Sequence, residues 1–225
     1  EIGVRLVGSE MCIRDSHDGE LVTGYFQDQE IIVGKGRFHF YEGYSFQEVV
    51  IPIHLFHELG VKNIIITNSS GSMNINFVPG SFMVVKSHMD CTYRYDSKDP
   101  KLFSGDPYHC PQMIDLALKA GKKLSLDLNV GTYCWTLGPS YETPAEILDM
   151  QRMGGDAVGM STVPEIISAG ELGMNILTLS CLTNFAAGIS STALSHEEVI
   201  KSAEMNSENF IELIKEILSE LPKLN

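Results

Sequence analysis

The chain has 225 residues with a net charge of −13, 44% hydrophobic residues and five cysteines. That length buries a full core and fits one large domain, while the acidic balance argues against nucleic acid and anionic membrane as partners. No apolar run approaches membrane-spanning length, and the cysteines (Cys12, Cys91, Cys110, Cys134, Cys181) form no C-x-x-C, so a reduced, cytoplasmic protein is the simplest reading.

Val4 to Ser16 has no clear apolar periodicity and no signal-peptide pattern. The run Ser9-Glu10-Met11-Cys12-Ile13-Arg14-Asp15-Ser16 reads like a translated sequencing adaptor. Residues 1–16 are expected to be a library artefact, with the native part of a truncated frame beginning near His17.

Leu21–Phe26 and Glu30–Val33 are expected to be strands joined by a turn. The stretch Gly36 to Tyr44 follows, with Arg37, His39, Tyr41 and Glu42 between glycines; on an extended backbone Arg37 and His39 share a face and suit an anion such as phosphate. Taken alone, it is as well explained as a surface hairpin. Ser45–Leu59 is expected to be one helix kinked at Pro52. Asn63–Thr67 is a buried strand, and Asn68-Ser69-Ser70-Gly71-Ser72 reads as a small-residue turn whose N–H groups approach an anion, or as a plain turn. Ser81–Lys86 is a strand and Cys91–Pro107 a long polar loop.

Met113–Lys122 is expected to be helical, Val130–Trp135 a strand, Ala145–Met153 and Thr162–Ala169 helices, Ile176–Cys181 a strand and His196–Leu221 a long helix. This alternation implies one α/β domain with a mixed, largely buried central sheet flanked by helices.

Dinucleotide, Walker-type, nucleophile-elbow and metal-ligand patterns all fail. Two further segments and two single residues stand at strand ends or between elements, and strand ends are where α/β sheets bind ligands. Gly138-Pro139-Ser140-Tyr141-Glu142-Thr143-Pro144 puts an aromatic face beside a carboxylate, which suits a heterocycle with N–H donors; Glu142 is equally well a helix-start residue. In Gly159-Met160-Ser161-Thr162-Val163-Pro164-Glu165, Thr162 and Glu165 have capping-box spacing, and Ser161 adds a hydroxyl beside free helix N–H groups. Asn184 follows the Ile176–Cys181 strand, and His196 opens the last helix.

In this order, Gly36 to Tyr44, Thr67-Asn68, Gly138 to Thr143, Ala157 to Glu165, Leu182-Thr183-Asn184 and His196-Glu197-Glu198-Val199 resemble the trimeric family of purine nucleoside phosphorylases. The resemblance runs from His17 to the C-terminus. It implies cleavage of purine nucleosides by inorganic phosphate, giving free base and ribose 1-phosphate, with phosphate as co-substrate and no cofactor or metal.

Carried over by position, Arg37, His39, Ser161 and the backbone at Ser69 bind phosphate, with His17 nearby. Tyr41 and Met160 contact ribose, and His196 orients its 5′-hydroxyl. Tyr141 packs on the purine, Glu142 accepts from its N1 side and Asn184 hydrogen-bonds N7. Glu142, Asn184, His39 and His196 are the expected catalytic residues. Related methylthioadenosine phosphorylases carry Asp and Ser at the Asn184 and Glu142 positions, so inosine and guanosine are the expected substrates. The alternatives are a methylthioadenosine phosphorylase, a non-catalytic nucleoside-binding module, or a nucleosidase acting without phosphate. A homotrimer is expected, with Phe103 offered to a neighbour's site.

Two departures from the family pattern stand out. Ser72 replaces a usual glycine, and the family's glycine-rich phosphate loop is missing upstream of His17. Residues 17–225 are therefore read as the phosphorylase domain without that loop, and the chain as written is expected to be poorly folded or nearly inactive.

Overall fold

A computed structural model describes residues 20–94, 98, 100–190 and 196–221, with side chains described outside 196–206. The suspect segment 1–16, together with His17, lies outside the described residues.

The chain enters through a hairpin of β1 (Glu20–Phe26) and β2 (Gln29–Lys35), paired antiparallel as a sheet of its own. Helices α1 (Phe46–Val49) and α2 (Ile51–Glu58) replace the single kinked helix expected over Ser45–Leu59. Pro52 is the reason: it sits in the first turn of α2, where its missing N–H costs nothing, and so starts a helix rather than bending one.

Among the described residues six strands form the main sheet: β3 (Asn63–Ser72), β4 (Phe82–Asp90), β5 (Leu102–Ser104), β6 (Leu128–Trp135), β7 (Ala157–Gly159) and β8 (Asn175–Phe185). Their order is β5-β4-β6-β7-β3-β8, and an extra β4–β8 pairing closes five of them into a ring. β4 changes partner along its length, with Phe82–Val84 pairing β8 and Ser87–Met89 pairing β5. Parallel pairings (β3–β8, β4–β6, β6–β7) and antiparallel ones (β3–β7, β4–β8, β4–β5) make the sheet mixed, as the alternating pattern predicts.

Three local expectations fail. Asn68–Ser72 is the far half of β3 rather than a turn. Its small side chains let the strand pass close to its neighbours: a Cβ on Gly71 would lie 3.2 Å from Asn184 Nδ2, and the β3–β8 register shifts there through a bulge. The Cys91–Pro107 loop carries the short strand β5. β8 extends to Phe185, so Asn184 lies inside the strand instead of after it. β7, three residues long, is too short to show any alternation in the sequence.

Helices α3 (Pro111–Lys123) and α6 (His196–Glu220) cover one side of the ring, where Met113, Ala117, Phe210, Leu213 and Ile217 meet Phe82, Val84, Leu177 and Leu179. α2 and α5 (Val163–Glu171) pack Ile53, Ile166 and Ala169 on Ile64, Ile66 and Ile176. α4 (Pro144–Arg152) covers Cys134 and Val158 with Ile147 and Met150. Met83, Val85, Tyr133, Trp135, Ala157, Val163 and Leu182 form a further buried cluster beneath the loops described next. Among the described residues no helix is long and apolar enough to cross a membrane.

Candidate active site

Asp90, Trp135 and Gly159 stand in register at the ends of β4, β6 and β7, so the chain leaves β6 and β7 side by side. β3 runs antiparallel to β7, with Ser72 opposite Ala157 and Gly71 opposite Val158. Extending that register carries Asn68 and Thr67 alongside Ser161 and Thr162. Asn68 Nδ2 does donate to Thr162 Oγ1 at 3.0 Å.

Arg37 reaches this junction from the segment after β2. Its Nη1 donates to Ser161 Oγ at 3.1 Å and to Thr162 Oγ1 at 2.8 Å, and its Nη2 to the Thr67 carbonyl at 2.5 Å. Nε lies 3.5 Å from Glu165 Oε1. All three guanidinium nitrogens are thus engaged, and the group is held in one plane at the mouth of β7. Ser161 Oγ also lies 3.1 Å from Thr162 Oγ1, so the two hydroxyls and the guanidinium form one connected group.

The Thr162–Glu165 pair is not a capping box. Thr162 has φ +81° and makes no side-chain cap; its hydroxyl serves Arg37 and Asn68 instead, and Glu165, buried in the first turn of α5, faces Arg37. Asn68 is held in turn by Ser180, whose hydroxyl donates to Asn68 Oδ1 at 2.6 Å and meets Ser70 Oγ at 2.6 Å. Sequence reasoning placed Thr162, Glu165 and Asn68 in candidate segments but gave their side chains no role in holding Arg37. A carboxylate inside the apolar run Val163-Pro164-Glu165-Ile166-Ile167 was the available signal, since such a group is rarely buried without a partner.

Phe40 anchors the Arg37–Tyr44 segment, packing 5.3 Å from Trp135 and lying under the Arg94 guanidinium at 4.3 Å. Its neighbours His39 and Tyr41 stack on each other at 4.6 Å. Glu42 accepts from the His39 backbone N–H at 2.7 Å and lies 3.3 Å from its Nδ1. Burial, with the Glu42 charge, pushes the Tyr41 phenol up to about 12; the Arg37 charge opposes the rise. Tyr41 stays a neutral hydroxyl at neutral pH.

Gly138 joins the ribose candidates. At φ +71°, it is in the left-handed region, and a Cβ there would collide with Met160 Sδ and stand 3.2 Å from Tyr41 Cδ1. Met160, Tyr41 and the Gly138 backbone therefore meet at one place. Glu142 is not part of the next helix start: Thr143 is the N-cap of α4 and forms a capping box with Glu146. Glu142 instead turns back to Thr136, whose hydroxyl donates to Oε1 at 2.5 Å. Tyr141 is about half exposed.

Asn184 sits against Gly71, with Oδ1 accepting from Thr183 Oγ1 at 2.8 Å and Nδ2 donating to the Phe185 carbonyl at 3.0 Å. Ser69 lies within β3 opposite Cys181, two residues beyond the Thr67 carbonyl that takes the Arg37 bond. His196 opens α6, but its side chain and His17 fall outside the described residues. Phe103 stacks on His88 of its own chain at 5.3 Å.

A family model for the phosphorylase superfamily matches residues 7–219. The chain belongs to the phosphorylase superfamily. The match starts inside the segment set aside as non-native. A curated relative, purine nucleoside phosphorylase 1 of Geobacillus stearothermophilus, is 39% identical over 216 residues, covering 93% of this chain and 79% of the relative. A crystal structure of Schistosoma mansoni purine nucleoside phosphorylase in complex with adenosine superposes with TM-score 0.80 at 28% identity, covering 90% of this chain and 77% of that one. A Schistosoma purine nucleoside phosphorylase in complex with guanosine gives TM-score 0.80 at 29% identity, covering 90% and 78%. These likenesses bear out the family resemblance, the fold class and the pentosyltransferase activity.

Proposed function

We propose that this phosphorylase transfers ribose from purine nucleosides of the inosine and guanosine class to inorganic phosphate, releasing the free base and ribose 1-phosphate. Purine nucleoside phosphorolysis is the activity of its named relatives; the 6-oxopurine preference and the residue roles are our reading. The observation that carries it is the Arg37 guanidinium fixed on Ser161, beside the stacked His39 and Tyr41.

In this reading, phosphate binds between Arg37, Ser161, His39 and the Ser69 backbone, with His17 nearby. Tyr41 and Met160 hold the ribose above it, and His196 orients the 5′-hydroxyl. As the C1′–N9 bond breaks, its electron pair leaves with the purine and C1′ gains oxocarbenium character; a phosphate oxygen then bonds to C1′. Phosphate stabilises the cation, and Asn184 donates to N7 as negative charge collects on the base. Glu142 accepts from N1–H of a 6-oxopurine, while Tyr141 covers the ring.

Relatives crystallised with adenosine and with guanosine show that occupancy alone does not separate these bases. The acceptor-only carboxylate of Glu142 does: it meets a donor at N1 of inosine and an acceptor at N1 of adenosine. We also infer a cytoplasmic homotrimer. The scattered spacing of the five cysteines, with no C-x-x-C, supports the first, and the family resemblance the second.

The test is inosine turnover with and without phosphate. Phosphate-dependent hypoxanthine release supports the reading. Release without phosphate marks a nucleosidase, binding without release marks a nucleoside-binding module, and equal turnover of adenosine or methylthioadenosine removes the 6-oxopurine preference. Sedimentation equilibrium tests the trimer.

A further inference from the structure

Glu142 is the specificity carboxylate of the reading above, and a hydroxyl of its own loop donates to it. Thr136 Oγ1 donates to Glu142 Oε1 at 2.5 Å, closing the loop after β6 onto its own first residue. Thr136 is itself fixed, since its backbone N–H donates to the Gly159 carbonyl at 2.9 Å, directly beside Met160. Trp135 before it is buried and in register with Gly159. The loop between the two bonded residues contains Gly138 at positive φ, pressed against Met160 and Tyr41, and the half-exposed Tyr141. A single side-chain bond therefore spans the segment that carries both base-contacting candidates.

The bond has a defined polarity. A threonine hydroxyl has one proton, and an ionised carboxylate only accepts, so Thr136 is the donor and Glu142 the acceptor. A short O–H···O⁻ bond of this kind is strong and directional. It occupies a lone pair on Oε1 and fixes the carboxylate plane, leaving Oε2 to meet a base.

We propose that Thr136 is a specificity-positioning residue that holds Glu142 in the orientation selecting bases with an N–H donor at N1. Thr136 touches no substrate; it acts through Glu142. The inference rests on the assignment of Glu142 to the base, and the experiment separates the two.

Thr136→Val removes the hydroxyl at constant shape, and Thr136→Ser keeps it. In the purified protein, kcat/KM for inosine is measured with kcat/KM for adenosine, KM for phosphate and Tm, alongside Glu142→Gln. Expected for Thr136→Val is a drop of about tenfold in kcat/KM for inosine, with lowered preference over adenosine and unchanged phosphate KM and Tm. Thr136→Ser should return the inosine value to near wild type. Should the valine variant fail to fold, Thr136→Ala against Thr136→Ser makes the same comparison.

If Glu142→Gln alters base preference but Thr136→Val does not, the positioning role is overturned while Glu142 keeps its assignment. A serine variant as impaired as the valine variant also overturns it, because the hydroxyl is then irrelevant. If Glu142→Gln leaves base preference unchanged, Glu142 does not select the base and the role of Thr136 falls with it.

Discussion

Arg37 Nε stands 3.5 Å from Glu165 Oε1, with the glutamate side chain 7% exposed and the arginine 20% exposed. The cation proposed for phosphate is thus countered from behind by a carboxylate that solvent barely reaches. Removing one member of such a pair strands the other without its countercharge. Glu165→Ala is expected to lower unfolding free energy by about 3 kcal/mol, read by urea denaturation, and Glu165→Gln by less. A Glu165→Ala protein as stable as wild type would show that the pair contributes no net stability.

Arg37 also donates to Ser161, Thr162 and Thr67. A lysine ammonium is a point charge on a flexible stem and cannot reproduce that planar set. Arg37→Lys is therefore expected to raise phosphate KM about tenfold or more, equivalent to losing one or two charge-assisted bonds. Nucleoside KM should change little. Steady-state kinetics with phosphate varied at saturating inosine provides the check.

Gly138 is required twice over, by its positive φ and by the Met160 and Tyr41 side chains pressed against it. Gly138→Ala is expected to impair activity more than folding, since the collision displaces two ribose candidates while the loop lies outside the main core. We expect kcat/KM for inosine to fall at least tenfold with a Tm loss of only a few degrees. Scanning calorimetry and kinetics on the same preparation decide it.

His88 and His109 form a buried pair away from the site, with Nδ1 of one 2.8 Å from Nε2 of the other. Such a contact needs one ring to donate and the other to accept, so at most one ring can be charged, and burial disfavours even that charge. Burial, with the neighbouring histidine, depresses His88 to about 3, and burial depresses His109 to about 4, from the ordinary 6.5. The unfolded chain therefore takes up protons first as pH falls. The stability tied to this pair is complete above pH 6.5 and is lost as pH falls toward 4 and then 3. His88→Phe should flatten the fall in Tm between pH 6.5 and 5 relative to wild type; identical slopes would remove the pair as its source.

The long apolar runs were legible. Ile64-Ile65-Ile66, Ile176 to Cys181 and the Phe210, Leu213, Ile217 stripe lie in the elements their periodicity indicates, because burial itself writes that pattern. Asn68–Ser72 was not legible, since a strand of small polar residues reads locally as a turn and only its neighbours β7 and β8 make it extended. The capping-box spacing of Thr162 and Glu165 misled for a similar reason: an arginine 125 residues away from Thr162 takes the hydroxyl that local spacing assigns to the helix. Thr136 gave no signal, because a lone threonine carries none until its partner is seen.

The ring of strands has a kinetic consequence. Its β3–β8 seam joins Asn63 to Asn175, 112 positions apart, and Arg37 finds Ser161 across 124. Contacts this distant form only after long loop closures, the feature that slows folding across proteins. A nascent chain has made Arg37 long before it has made Ser161 or Thr162. The proposed phosphate pocket is therefore assembled late, at the step that also completes the frame.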